Sequence, residues 1–131
     1  APAPPPSGDP ATQLYDAGKQ AFDGGDYVKA RQRFEQLIQQ YPKSEMADNA
    51  QFWVAEIFYR EKWYEKAILE YQKVIENYPD GNKVPAALLK QAQSFSNIAD
   101  RSNARLIYQE LVNKYPQSSE SQVARQKLLE Y

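Results

Sequence analysis

Residues 50–79 read AQFWVAEIFYREKWYEKAILEYQKVIENYP, and this stretch contains two consecutive amphipathic patterns. The polar residues 60–62 separate the patterns, and Pro79 ends the second one because proline cannot continue a helix. The stretch therefore predicts two helices joined by a short turn. The apolar side chains recur at helical intervals in both patterns, first at Phe52, Trp53, Ile57 and Phe58, then at Ala67, Ile68, Tyr71, Val74 and Ile75.

The same hairpin pattern recurs along the chain with a period of 37 residues. Self-similarity at a period of roughly 20–50 residues is typical of solenoids, in which supersecondary units stack on one another. We therefore predict an all-α, right-handed α-solenoid of three helical hairpins and a C-terminal capping helix. The triplets that share the spacing are Tyr41, Tyr78 and Tyr115, each followed by proline, then Ala30, Ala67 and Ala104, and then Phe34, Tyr71 and Tyr108.

Capping residues set the expected ends of seven helices. Asp9-Pro10 places an N-cap before a proline at the first helical position, and Asp26 follows a Gly-Gly turn. Ser44, Asn82 and Ser118 are candidate caps for the helices that follow the Tyr-Pro pairs. The predicted helices span 11–23, 27–41, 45–60, 64–77, 84–98, 102–115 and 119–130.

The chain divides into a proline-rich linker over 1–10, with five of the nine prolines, and a repeat domain over 11–131. A linker at a chain start tethers nothing unless a module precedes it, so we expect the protein to continue N-terminally. The expected repeats lie at about 11–43, 44–80 and 81–117, with the capping helix at about 118–130.

Composition excludes several classes of function. The 131 residues contain no His and no Cys, which rules out an imidazole base, a thiolate nucleophile and the common zinc sites. The balance of 16 Lys+Arg and 17 Asp+Glu gives no long-range field to attract nucleic acid. No apolar run approaches the roughly 20 residues that a membrane-spanning helix needs. We expect no enzyme activity, cofactor, metal, nucleic-acid partner or membrane insertion.

Small residues and aromatic residues fall at fixed places in each unit. If the small residue that opens the second helix is numbered 20, Gly18, Ala55 and Ala92 fall at position 8 and an aromatic ring falls at position 24. This pattern resembles the tetratricopeptide repeat, in which small residues let paired helices approach closely. The resemblance covers about residues 12–130.

The segments that join the hairpins narrow the resemblance to one family. The phrases at 41–44, 78–83 and 115–118, together with the segments at 49–56 and 83–90, are similar to the C-terminal domain of the periplasmic YbgF or CpoB family. The resemblance implies a precursor with a signal peptide and an N-terminal coiled coil, so that the full-length protein would be a trimer and this chain a monomer. It also implies binding to TolA, and in some members to a class A penicillin-binding protein, to coordinate envelope constriction with cell-wall synthesis.

Alternatives remain open. Outer-membrane assembly lipoproteins of the BamD type share the long repeats and the Tyr-Pro joints, and a generic periplasmic adaptor would have the same architecture. An enzyme is the alternative from another class, but the acid pairs Glu61/Glu65 and Asp23/Asp26 lie beside basic residues in polar stretches, as solvated side chains do. The third unit departs from the pattern at Gln91 and at Arg101, which suggests looser packing there.

The candidate binding site is the concave groove formed by the first helices of the hairpins. Aromatic residues on the second helices, such as Tyr71 and Tyr108, are predicted to be core. Phe52 and Tyr59 are equally consistent with groove and core, and Trp63 at the second hairpin turn is a possible edge contact. Lys19 lacks the partners needed to clamp a C-terminal carboxylate. The groove candidates are Tyr15, Lys19, Phe22, Asp23, Phe52, Glu56, Tyr59, Arg60, Leu89, Gln93, Ser96 and Asn97.

Overall fold

A computed structural model describes residues 9–131 and folds them into seven α-helices. The predicted all-α architecture is confirmed, and every predicted helix end lies within two residues of the observed one. The linker predicted over 1–10 lies outside the described residues except for Asp9 and Pro10, and Pro10 is already the first residue of α1. The helices are α1 (Pro10–Asp23), α2 (Tyr27–Gln40), α3 (Ala47–Arg60), α4 (Tyr64–Asn77), α5 (Val84–Asn97), α6 (Arg101–Lys114) and α7 (Ser119–Leu128).

The helices pair into hairpins that stack in chain order. α1 packs on α2, α3 on α4 and α5 on α6, while α2 contacts α3 and α4 contacts α5 across the joints. α7 covers α6 and α5 at the end of the stack. Two sets of side chains spaced by 37 residues are almost fully buried between the hairpins, namely Phe34, Tyr71 and Tyr108, and Leu37, Val74 and Leu111.

Small residues allow the paired helices to approach. A Cβ atom added to Gly18 would lie 2.7–2.9 Å from atoms of the Phe34 ring, closer than packed carbon atoms allow. In the second hairpin, Ala55 and Ala67 are fully buried in one cluster with Tyr71. The close helix–helix contact therefore depends on the small side chains at these positions.

The predicted caps are partly correct. The side chains of Asp9, Asp26 and Ser118 cap α1, α2 and α7. The caps assigned to Ser44 and Asn82 are wrong, because the chain makes further turns after these Tyr-Pro pairs, so that α3 begins three residues beyond Ser44 and α5 two residues beyond Asn82. Ser44 instead accepts a hydrogen bond from the Met46 amide within the turn, at 3.1 Å.

Each hairpin turn contains one residue with left-handed backbone geometry. These residues are Gly25 (φ 82°), Lys62 (φ 64°) and Ala99 (φ 63°), again 37 residues apart. The amide after each of them donates to the carbonyl five residues back, which is the Schellman arrangement that ends a helix. Glycine adopts this geometry freely, whereas a residue with a Cβ is strained in it by roughly 1–2 kcal/mol.

The strain predicts that Ala99→Gly stabilises the protein by about 0.5–1 kcal/mol, since the relief of strain exceeds the added freedom of the unfolded chain. The midpoint of urea unfolding measures this change. Gly25→Ala is the matched reverse variant, because a Cβ there would meet nothing within 4 Å and changes only the backbone preference. A lower midpoint for Ala99→Gly would contradict the left-handed geometry.

The two departures in the third hairpin are accommodated by hydrogen bonds. Gln91 is buried, and its Nε2 donates to the Ile68 carbonyl at 3.1 Å and to Gln72 Oε1 at 2.9 Å, which ties α5 to α4. Arg101 donates to the Glu130 carbonyl at 2.9 Å, next to the end of α7. Polar side chains thus replace apolar contacts at both positions.

Candidate functional site

The first helices of the hairpins and the end of the chain share one continuous face of side chains. Trp53 Nε1 on α3 donates to the Tyr15 hydroxyl on α1 at 3.1 Å. Asn97 Nδ2 on α5 donates to the Tyr59 hydroxyl on α3 at 3.2 Å. The hydroxyl of Tyr131, which follows α7, lies 3.3 Å from Ser96 Oγ. We call this surface the first-helix face; it contains the predicted groove residues and, in addition, Trp53, Lys83, Lys90 and Lys127.

Lys19, Phe22 and Arg60 meet around Trp53 in the α1–α3 part of the face. The Phe22 and Trp53 ring centres are 4.8 Å apart. Lys19 Nζ lies 4.0 Å from the Trp53 ring centre, and the Arg60 guanidinium carbon lies 4.9 Å from that of Phe22. Lys19 Nζ is also 3.7 Å from Asp23 Oδ1. Lys19 and Phe22 therefore pack on a tryptophan that was not among the candidates, and Arg60 joins them through the Phe22 ring.

Glu56 connects the face to the core in the α3–α5 part. Its carboxylate accepts a hydrogen bond from the Tyr71 hydroxyl at 2.5 Å and lies 3.6 Å from Lys90 Nζ. Lys90 Nζ in turn lies 3.8 Å from the ring centre of Tyr59. Burial raises the pKa of Tyr71, and the neighbouring Glu56 carboxylate raises it further. Tyr71 therefore remains a neutral hydrogen-bond donor that fixes Glu56.

The raised pKa values predict a loss of stability at alkaline pH. Burial also raises the pKa of Tyr108, to about 12, whereas tyrosines of the unfolded chain titrate near roughly 10. The contribution of these two tyrosines to stability is complete below about pH 10 and is lost as pH rises further, because only the unfolded chain then releases their protons.

Urea unfolding between pH 8 and 12 measures this loss. The free energy of unfolding of Tyr71→Phe should fall less steeply with pH than that of the native chain, although Tyr71→Phe is less stable at neutral pH without the Glu56 hydrogen bond. Equal slopes would show that Tyr71 ionises as readily in the fold as in the unfolded chain.

Phe52 and Tyr59 are each half-buried, between the two interpretations made from the sequence. The Phe52 ring centre lies 5.7 Å from that of the core residue Tyr71 and 5.3 Å from Lys83 Nζ. The Tyr59 ring packs edge-on against Tyr64 at 5.3 Å. Both rings therefore rest on the core with part of their surface exposed.

Gln93 lies at the α7 end of the face, beside a shallow hollow of about 300 Å³. Gln93 is 37 residues after Glu56, so the position that holds a charged acceptor in the second hairpin holds a neutral amide in the third. The hollow is lined by Tyr59, Gln93, Ser96, Asn97, Tyr108, Lys127, Glu130 and Tyr131.

Trp63 lies away from the first-helix face, at the second hairpin turn. Its side chain is 57% exposed, so it does not cover the hairpin end as a buried staple would. Lys66 Nζ lies 4.7 Å from its ring centre, and Tyr64 and Ile98 flank it around a hollow of about 370 Å³. An exposed indole beside an exposed isoleucine fits the predicted edge contact.

Trp63 is also the N-cap of α4, where it makes no side-chain cap bond. Its counterparts in the other hairpins, Asp26 and Asp100, cap α2 and α6 through their carboxylates. We predict that Trp63→Asp raises the free energy of unfolding by about 1 kcal/mol, because the new carboxylate accepts from the first turn of α4. Thermal unfolding measures the gain, and Asp100→Ala should lose a similar amount. An unchanged melting temperature for Trp63→Asp would contradict this account.

Sequence reasoning did not identify Trp53 and Lys90 as part of the face. Both lie at the same place in the repeat, 37 residues apart, next to the positions taken as groove-lining. The signal was an indole two residues before the small residue Ala55 of α3, with a lysine at the same place before Ala92 of α5. Within residues 9–131 no cluster of three potential metal ligands exists, and no helix is long and apolar enough to cross a membrane.

Comparison with known families identifies the family to which the chain belongs. Residues 7–130 match the family model described as YfiO, outer membrane lipoprotein. The chain belongs to the YfiO family. An outer membrane lipoprotein family fits a protein of the cell envelope. The YfiO match agrees with the lipoprotein class named among the alternatives from the sequence.

A curated relative and two solved structures extend this assignment. The chain is 40% identical over 52 residues to the cell division coordinator CpoB of Pseudomonas putida, covering 38% of the chain and 19% of CpoB. The N-terminal domain of C. elegans stress-induced protein-1 superposes with a TM-score of 0.77 at 16% identity, covering 88% of this chain and 92% of that domain. The first tetratricopeptide-repeat domain of Spaghetti, bound to an HSP90 peptide, gives 0.70 at 16% identity, with coverage of 92% and 88%.

These matches confirm the resemblance to a tetratricopeptide-repeat domain of the CpoB type. The two structural neighbours establish the fold, an α-solenoid of helical hairpins. The matched segment spans about a fifth of the length of CpoB. Solenoids of this kind present extended surfaces to other proteins.

Proposed function

We propose that the chain is a non-catalytic interaction module that binds TolA through the first-helix face and helps coordinate outer-membrane constriction with cell-wall synthesis. The observation that carries the proposal is the row of half-buried aromatic rings along this face, from Tyr15 through Trp53 and Phe52 to Tyr59. Partly exposed aromatic residues beside charged ones are typical of protein-binding sites. The similarity to CpoB supports division as the setting.

The longer protein would act in the periplasm. We propose that a signal peptide directs the precursor there, that an N-terminal coiled coil makes the full-length protein a trimer, and that a class A penicillin-binding protein is a second partner. The repeat domain would be a monomer in this arrangement, with the proline-rich residues 1–10 as the tether.

Calorimetric titration of the chain with the periplasmic part of TolA from the same organism tests the proposal. We expect a saturable complex and no turnover of peptidoglycan by the chain alone. Absence of binding at high micromolar concentration would refute TolA as the partner, and measurable turnover would refute the non-catalytic role.

A second candidate function is a scaffold of outer-membrane protein assembly of the BamD type. The match of residues 7–130 to an outer membrane lipoprotein family favours it. The sequence upstream of residue 1 in the native gene separates the candidates, since coiled-coil heptads would favour the TolA partner and a lipid-modified cysteine the assembly scaffold. Binding to outer-membrane assembly proteins, in the same titration that fails with TolA, would decide for the scaffold.

A further inference from the structure

Cations lie over aromatic rings throughout the first-helix face. Residues 9–131 contain nine such contacts, in which the cation lies 3.8–5.6 Å from the ring centre. Five of them lie on this face and use the four cations Lys19, Arg60, Lys83 and Lys90. The rings hold these side chains in place, so a ligand loses less conformational entropy in ordering them.

The cations on this face outnumber the acids that could neutralise them. Lys19 is paired with Asp23 and Lys90 with Glu56, at 3.7 and 3.6 Å. In the described part of the chain, Arg60 has no carboxylate within 4.0 Å, and neither does Lys83. The face is therefore basic although the chain as a whole has a net charge of −1.

Glu56 does not reduce the excess positive charge that a ligand meets on this face. Its side chain is only 12% exposed, and its carboxylate is already bonded to Tyr71 and close to Lys90. Other acids near the face are Asp23, which is paired with Lys19, Asp48, one turn before Phe52 on α3, and Glu130 at the far hollow, where Lys127 also lies. An approaching protein segment thus meets cations fixed between exposed aromatic surfaces.

We infer that the first-helix face selects an acidic protein segment. Its Asp and Glu carboxylates would pair with Arg60 and Lys83, and its apolar side chains would cover the Phe52 and Trp53 rings between them. Complementary charge of this kind sets partner choice and orientation and depends on salt. The inference rests on the proposed function in using the same face, but it concerns the chemistry of the ligand rather than TolA itself.

Single-stranded nucleic acid is the other polyanion that cations and aromatic rings can bind. The structure favours a peptide, because two of the four ring-bound cations are already neutralised. A phosphate backbone needs a longer basic track than Arg60 and Lys83 supply. Binding to an oligothymidine is accordingly an outcome of the test.

Two blocked peptides test the inference. Both have 12 residues with the same Leu and Ala positions and amidated C-termini, and they differ only in carrying Glu or Lys at the charged positions. Trp53 reports binding through its fluorescence in a Trp63→Phe background, because these are the two tryptophans of the chain. We expect the Glu peptide to bind at least tenfold more tightly than the Lys peptide, and its affinity to fall at least threefold between 50 and 300 mM NaCl.

Charge-removing variants locate the effect. Arg60→Gln with Lys83→Gln should weaken the Glu peptide at least tenfold, while Lys66→Gln with Lys73→Gln removes two exposed cations of α4 and should leave binding unchanged. Circular dichroism confirms that both pairs fold. Any of four results would overturn the inference: equal affinity for the two peptides, no change in fluorescence with either peptide, unchanged affinity of the Arg60/Lys83 variant for the Glu peptide, or preferential binding of oligothymidine. A chain that binds the Glu peptide but not TolA would refute only the proposed function.

Discussion

The double variant Phe52→Ala, Tyr59→Ala is expected to bind TolA more weakly by about 2–4 kcal/mol. Both rings are half-buried, face the same side of α3 two turns apart, and lie between the core and the cations Lys83 and Lys90. Truncating them removes the apolar contact and releases Lys83 and Lys90 from their ring-bound positions. Calorimetry with TolA measures the loss.

Phe58→Ala is the matched control for this variant. Phe58 is a half-buried aromatic residue on the same helix, but its ring is contacted by Arg31 and Lys66 from the second helices and not by the cations of the first-helix face. The control should lose stability and keep its affinity. If the double variant binds normally, the first-helix face is not the site, and Trp63 at the hairpin turn becomes the better candidate. If it unfolds, both rings belong to the core.

Ala67→Leu is expected to lower the free energy of unfolding by about 1–3 kcal/mol. Ala67 is fully buried beside Ala55 and Tyr71, where α3 and α4 approach, and three added carbon atoms have no space there. Thermal unfolding followed by circular dichroism measures the change. Leu69→Ala, at an exposed site on the same helix, should stay within about 0.5 kcal/mol of the native chain. An unchanged melting temperature for Ala67→Leu would refute the repeat register.

The helices, their hairpin pairing and the small residues between them followed from the sequence, because each depends on local periodicity and on the 37-residue spacing. The start of α3 and the caps of α3 and α5 were less predictable, since the joints fold into extra turns that carry no strong local signal. Gln91 is buried because a carbonyl of the neighbouring helix lies within reach, a fact that sequence alone cannot supply.

The sequence indicated where the candidate face lies, but not all of the side chains that form it. The groove positions came from the resemblance to the tetratricopeptide repeat, whose first helices line the groove, so Lys19, Phe22 and Tyr59 were found. Trp53 and Lys90 reach this face because neighbouring first helices lie close enough for side chains to cross between them. Such crossings depend on the angle between hairpins, which no single repeat specifies.

The stacking of hairpins on their immediate neighbours has a consequence for how the fold opens. Apart from the contact between α5 and α7, the strongly packed helix pairs are consecutive along the chain. The hairpin of α3 and α4 has a neighbour on both sides, whereas α1 and α7 lie at the ends of the stack. Opening of the native state therefore proceeds inward from the ends, and the amides of α3 and α4 are protected from hydrogen exchange the longest. The helix that carries Phe52, Glu56 and Tyr59 is thus also among the last to unfold.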